Sequence, residues 1–167
     1  MGSLQLSKLF VNNIYSKTGA SEAINIDSDG HVLTPKRIHV RAVGDGTVAY
    51  HNNDAEEGLP MSVIDEDGDG NGASYYNTST GLFTAPVSGV YVASFSVLIQ
   101  SAVNNNFKLL KNGVLYQRFY AVGERSWNGS LTALLNANDT LKWVQALDAQ
   151  DVYTADNYSH VTFTHLG

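Results

Sequence analysis

Gly89-Val90-Tyr91-Val92-Ala93-Ser94-Phe95-Ser96-Val97-Leu98-Ile99-Gln100 is the stretch that decides the fold class. Alternate residues of a strand point to opposite faces, so Tyr91, Ala93, Phe95, Val97 and Ile99 line one face and Val90, Val92, Ser94, Ser96 and Leu98 the other. The first set is a core face and the second is mixed. Downstream, Phe107 to Lys111 and Val114 to Tyr120 flank Asn112-Gly113, a dipeptide that accepts the positive φ angles of a two-residue hairpin turn. Leu131 to Leu135 and Leu141 to Ala146 are separated by Asn136-Ala137-Asn138-Asp139, and Ser159 to Leu166 closes the chain with Val161, Phe163 and His165 in alternation. Helical three-four spacing is nearly missing. Many short strands broken by Gly, Asn and Asp predict an all-β sandwich.

Upstream the pattern weakens. Two β segments, Leu9 to Tyr15 and Ala23 to Ile26, precede the turn Asp27-Ser28-Asp29-Gly30 and His31-Val32-Leu33. So short a hairpin buries no core alone, which predicts that residues 1–37 form a β leader stabilised by copies of itself or by docking on the head. Pro35 marks the boundary, and Ile38 to Val43 opens a head domain over residues 38–167.

Composition narrows the function classes. The 167 residues, 43% of them apolar, suffice for one sizeable core. Sixteen acidic against ten basic residues leave a net charge of −6, which repels phosphate backbones and anionic lipid, so neither nucleic acid nor membrane insertion is expected. No apolar run reaches the roughly 18 to 20 residues of a membrane span, and the first residues lack the layout of a signal peptide. With no cysteine, disulfides, thiolate metal sites and cysteine nucleophiles are excluded.

From Asn71 onward the spacing resembles the signature of the complement C1q and tumour-necrosis-factor-like head family: Asn71, Tyr76, Phe83, Gly89-Val90-Tyr91 and Phe95. Agreement continues through Asn138-Asp139-Thr140-Leu141-Lys142-Trp143-Val144-Gln145, Val152-Tyr153-Thr154-Ala155-Asp156-Asn157 and Ser159-His160-Val161-Thr162-Phe163. Two positions depart from it: Asp65 stands where the family tends to place Phe, and Ala93 where an aromatic is common. Val63 and Ile64 are expected to supply the apolar contact instead. The resemblance implies a jelly roll of about ten strands, a homotrimer built through self-complementary apolar walls, and loops at the exposed end that bind receptors or glycans without catalysis. No collagen-like Gly-X-Y run is present. Ile24 to Val32 of the leader resembles repeat units of bacteriophage tail fibres. The function expected is therefore a receptor- or glycan-binding head of a virion fibre, located on the virion or extracellularly. A secreted C1q-like lectin or cytokine-like ligand is the alternative, and a glycan-cleaving tail enzyme the third reading.

Asp65-Glu66-Asp67-Gly68-Asp69-Gly70-Asn71-Gly72 spaces oxygen donors at alternate positions with a glycine sixth, as the start of an EF-hand loop does. Asp65, Asp67, Asp69 and Asn71 are thus candidate Ca²⁺ ligands, although position twelve is Tyr76 and not Glu. Asp148, Asp151 and Asp156 form a weaker acidic cluster. The five histidines show no two-His helical pair, and Ser88 and Ser130 lack the Gly-x-Ser-x-Gly elbow, so no catalytic centre is read. His165 is expected to pack. Trp143 alternates within a strand and reads as core. Trp127 beside Asn128-Gly129 reads as exposed and, with Tyr153 and Tyr158, as a sugar-stacking contact. Sequons stand at Asn77, Asn128, Asn138 and Asn157.

Overall fold

The computed structural model describes residues 13–15, 22–26, 28–29, 32–33, 37–46, 50–51, 56–146, 150–155 and 158–166. The chain divides into two units, Met1–Arg37 and Ile38–Gly167. In the first, β1 (Asn13–Tyr15), β2 (Glu22–Ile26) and β3 (Val32–Leu33) form an antiparallel three-stranded sheet in that order. In register, Ile14 is paired with Ile24, and Ile26 with Val32.

The second unit holds β4 (His39–Val43), β5 (Tyr50–His51), β6 (Val63–Asp67), the single helical turn α1 (Gly72–Tyr75), β7 (Tyr76–Asn77) and β8 (Leu82–Thr84). It continues with β9 (Gly89–Lys111), β10 (Val114–Leu135), β11 (Thr140–Ala146), β12 (Val152–Tyr153) and β13 (His160–His165). Two of the segments expected to be separate strands, Gly89 to Gln100 and Phe107 to Lys111, run together as β9, and β10 is correspondingly long. Residues 89–98 of β9 pair with residues 126–135 of β10, and residues 105–111 with 114–121. The register shifts between Ala121 and Ser126, where irregular pairing lets the ribbon bend from one layer into the other. Both layers therefore share these two strands. One runs β6-β4-β13-β9-β10 and the other β7-β8-β11-β9-β10, all antiparallel. This is a two-layer β-sandwich of jelly-roll type.

The expected inward set of β9 is the core: Tyr91, Ala93, Phe95, Val97 and Ile99 are all 2% exposed or less. Aromatic rings join the layers. Phe83 stacks on Phe163 with centroids 4.5 Å apart, Tyr91 meets Phe83 edge-on at 5.7 Å, and Phe95 lies 4.5 Å from Trp143. Tyr76 approaches Phe163 at 6.0 Å. The spaced residues Tyr76, Phe83 and Tyr91 thus meet around Phe163 in one cluster, each such ring pair being worth about 0.5–1.5 kcal/mol beyond simple burial. Ala93 pairs directly with Phe163, so a small residue on β9 lies beside the bulky ring of its neighbour. At the other departure, Ile64 packs partly against the core, whereas Val63 is 41% exposed. Val63 contributes less than expected because it pairs with Val43, itself paired with His160, on the face turned away from the core.

At the Asn112-Gly113 turn φ is 51° and 77°, as a primed hairpin turn requires. Asn112 also clamps the neighbouring turn: its Nδ2 donates to Asp139 Oδ1 at 2.8 Å, and its Oδ1 accepts from Thr140 N at 2.8 Å. Hydrogen bonds from the Asn112 side chain and the Asn136 backbone, with Lys111 beside it, hold the Asp139 carboxyl below the usual range against the opposing effect of burial. The strand registers put Ile38, Leu166, both these turns and the start of β9 at one end of the sandwich. The loops after β4 and around β12 lie at the other end, here called the tip.

Candidate ligand-binding tip

The loop from Gln150 to Ser159 is built on buried polar side chains. Gln145 is fully buried; its Nε2 donates to Gln150 O at 2.8 Å and its Oε1 accepts from Gln150 N at 3.0 Å. The Ser159 hydroxyl, also fully buried, donates to Tyr153 O and accepts from Leu98 N at 3.1 Å. Gln100 N donates to Asp151 O at 2.9 Å. Thr154, 2% exposed, sits so close to Gly44 that a Cβ there would meet Thr154 Cβ at 2.1 Å. A buried polar group left unpaired costs about 1–3 kcal/mol, so these satisfied contacts hold residues 150–154 and Ser159 in place. Neither Gln145 nor Ser159 was singled out from sequence; a Gln inside an apolar alternating strand is the signal that marks the first.

On this framework Tyr153 and Tyr158 stand together, ring centroids 5.5 Å apart and 70° between planes. Tyr158 is 59% exposed and Tyr153 half-buried. They present an aromatic corner to solvent. Trp127 does not join it. Its side chain is 4% exposed, packs on Phe107 at 5.2 Å and donates Nε1–H to Glu124 O at 3.2 Å. The expectation that Trp127 is a surface contact is corrected: alternation along β10 turns Trp127, Ala133 and Leu135 inward, and the neighbouring Asn128 outward. Trp143 is core as expected, 1% exposed.

Of the four candidate calcium ligands, Asp67, Asp69 and Asn71 lie at the opposite end, because β6 runs antiparallel to β4 and finishes beside His39, and Asp65 lies midway along β6, between the residues paired with Arg41 and Ala42. Their oxygens are directed to different partners. Asp65, in a register shift of β6, pairs with Arg41. Asp67 accepts from Gly70 N at 2.9 Å and Gly72 N at 2.7 Å. Asp69 accepts from Asn71 N at 3.0 Å and the Tyr75 hydroxyl at 2.8 Å, and burial together with that bond to Asp69 raises the Tyr75 phenol to about 12. Asn71 Nδ2 bonds Asp69 O at 3.3 Å. Among the described residues no three His, Asp or Glu side chains gather as a metal site would require. Asp148 and Asp156 of the weaker cluster lie outside the described residues, as do His31 and Asn157.

The remaining candidates have structural partners. The Ser88 hydroxyl accepts from Ala137 N at 2.9 Å. His165 packs on Tyr91 at 4.8 Å. Asn77 Oδ1 accepts from Ser79 N at 3.0 Å and Thr80 N at 3.2 Å. An open cleft of about 440 Å³ is lined by Asp45, Glu56, Glu57, Thr80 and Lys142 among others. Its three carboxylate residues are exposed, and Glu56 is ion-paired with Lys108.

Two antiparallel layers sharing a bent ribbon, with an interlayer aromatic cluster and loops at one tip, define a jelly-roll domain. The family model for the C1q domain matches residues 49–166, and the chain belongs to the C1q domain family. Its fold is similar to the globular domain of zebrafish complement 1qA protein, with a TM-score of 0.58 at 12% identity over 79% of this chain and 98% of that one. The Eiger TNF of S. frugiperda aligns with a TM-score of 0.58 at 11% identity over 79% and 94%. Murine APRIL aligns at 0.60 and 10% over 78% and 100%. No curated protein matches the chain in sequence. C1q and tumour-necrosis-factor-like domains typically form homotrimers and bind ligands. No helix among the described residues is long and apolar enough to cross a membrane.

Proposed function

We propose that this chain is a homotrimeric, non-enzymatic head of a virion fibre that binds a host-surface glycan or protein receptor through the tip corner of Tyr153 and Tyr158. The observation that carries the binding reading is that corner: two solvent-facing rings on a loop pinned by buried Gln145, Thr154 and Ser159. Aromatic faces beside polar groups suit sugar rings and their hydroxyls. The virion assignment is supported by the resemblance of Ile24 to Val32 to tail-fibre repeats.

Trimerisation is supported by the shape of β10. Among the described residues it pairs with β9 alone, so it is the outer edge of both layers. Of the large apolar residues left exposed, Val114, Leu115, Tyr116, Tyr120, Val122 and Leu134 lie on it, against five elsewhere: Val63, Val87, Val90, Tyr158 and Leu166. An unpaired apolar edge of this length invites association unless a partner covers it.

The test incubates the full chain with candidate host cells and a glycan array beside a Tyr153→Ala, Tyr158→Ala double variant. Binding by the parent chain and loss of it in the variant is the expected result, amplified because three weak sites act together. Equal binding by both would overturn the residue assignment, and shortened glycans in the supernatant would overturn the non-enzymatic reading.

A further inference from the structure

The face of the β6-β4-β13-β9-β10 layer that looks away from the core carries a group of charges. Strand β13 alternates, turning Val161 and Phe163 inward and His160 outward. On the same face β4 brings Arg41, opposite Thr162, and His39, opposite Thr164, and β6 brings Asp65 and Glu66. Residues 89–98 of β9 supply Ser94 and Ser96, and β10 supplies Asn128 and Ser130, none of which titrates. Four of the five ionisable groups are tied to one another. Arg41 pairs with Asp65 and lies 3.8 Å from Glu66, and His39 Nε2 lies 3.1 Å from Glu66 Oε2 while its Nδ1 meets Thr164 Oγ1 at 2.8 Å. His160 differs, for its Nδ1 is buried with no hydrogen-bond partner.

We propose that the trimer is acid-labile, and that protonation of His160 is the event that loosens it. This rests on the trimeric reading. A partner covering Leu134 and Val90 sits on the same face as His160, but six residues further along the strands, since His160 lies opposite Ser96 and Leu134 opposite Val90: roughly 10 Å across and about 20 Å along. An interface of ordinary size, about 800 Å² per partner, extends across that span. Covering the face withdraws His160 further from water, and a proton on Nδ1 then gains a charge with no acceptor within reach.

The sign follows from the monomer. Burial, and then the Arg41 guanidinium, push the His160 ring below its ordinary value of 6.5, against the opposing pull of Asp65 and Glu66. The folded state therefore prefers the neutral ring. Its contribution is complete above the unfolded value and is lost as pH falls through 6.5 toward the lower folded value. Assembly extends the same preference, so acid favours separated chains.

The experiment measures mass by light scattering and the melting temperature of the full chain at about pH 7.5 and about pH 5, for the parent, His160→Gln and His39→Gln. The parent is expected to be trimeric at the higher pH and to lose mass or melting temperature at the lower. His160→Gln should abolish at least half of that loss, and His39→Gln should leave it intact. A parent with the same mass and melting temperature at both values overturns the proposal, as does an acid response unchanged in His160→Gln. A monomer already at the higher pH overturns the trimeric reading and this proposal with it, an outcome distinct from a trimer indifferent to acid. If His160→Gln fails to fold, the His160 ring is titrated by NMR in the parent, where a midpoint at or above the ordinary imidazole value overturns the proposal.

Discussion

The indole of Trp127 packs on the ring of Phe107 with centroids 5.2 Å apart and 56° between planes, joining the two halves of the bent ribbon in one core. Trp127→Ala is therefore a core truncation. It should cost about 3–5 kcal/mol of stability, as large aromatic deletions do, while Tyr158→Ala, at an exposed ring, should stay within about 0.5 kcal/mol. Denaturant titration of both variants checks this. Similar losses for the two would contradict the burial assigned to Trp127.

Gly129 lies beneath two rings: a Cβ there would stand 2.8 Å from both Phe119 Cε1 and Phe95 Cε1. Gly129→Ala should destabilise by about 1–3 kcal/mol through overpacking. Adding Phe119→Leu should return part of the loss, because the two changes share one space. Strictly additive effects in the double variant would show that the close approach is not the cause.

Leu134, 71% exposed on the edge strand β10, should matter to assembly and not to the single chain. Leu134→Asp is expected to lower the mass measured by light scattering from trimer toward monomer, with a change of about 0.5 kcal/mol or less in the fold of the isolated chain. A variant that stays trimeric at micromolar concentration would place the interface elsewhere.

The acidic turn after β6 tests calcium. Asp65 is held by Arg41, and Asp67 and Asp69 by the loop's own amides and Tyr75, so each carboxylate has a partner without a cation. The melting temperature should be the same in excess calcium and excess chelator. A clear rise with calcium, the signature of preferential binding to the folded state, would mean that the loop rearranges around the ion.

How much was legible in the sequence depended on the range of the interaction. Alternation along Gly89 to Gln100 and the Asn112-Gly113 turn are local, since side-chain direction in a strand and positive φ are properties of a few consecutive residues. They sufficed for the strands, the hairpin and the inward set Tyr91, Ala93, Phe95, Val97 and Ile99. The spaced aromatics Tyr76, Phe83 and Tyr91 sufficed for the family. What escaped was every property that needs two distant segments. Trp127 looks polar beside Asn128-Gly129, but it is buried because residues 114–121 and 126–135 belong to different layers of one bent ribbon. The alternate carboxylates look convergent along the chain, but Arg41 draws one of them away from the others. The tip corner exists because Gln145 and Ser159 tie together strands that the sequence lists far apart. Strand alternation and turn chemistry are short-range, so the class of fold was legible from the residues in order. Which polar and aromatic side chains face solvent was not, because burial is set by the partner that the fold brings against each face.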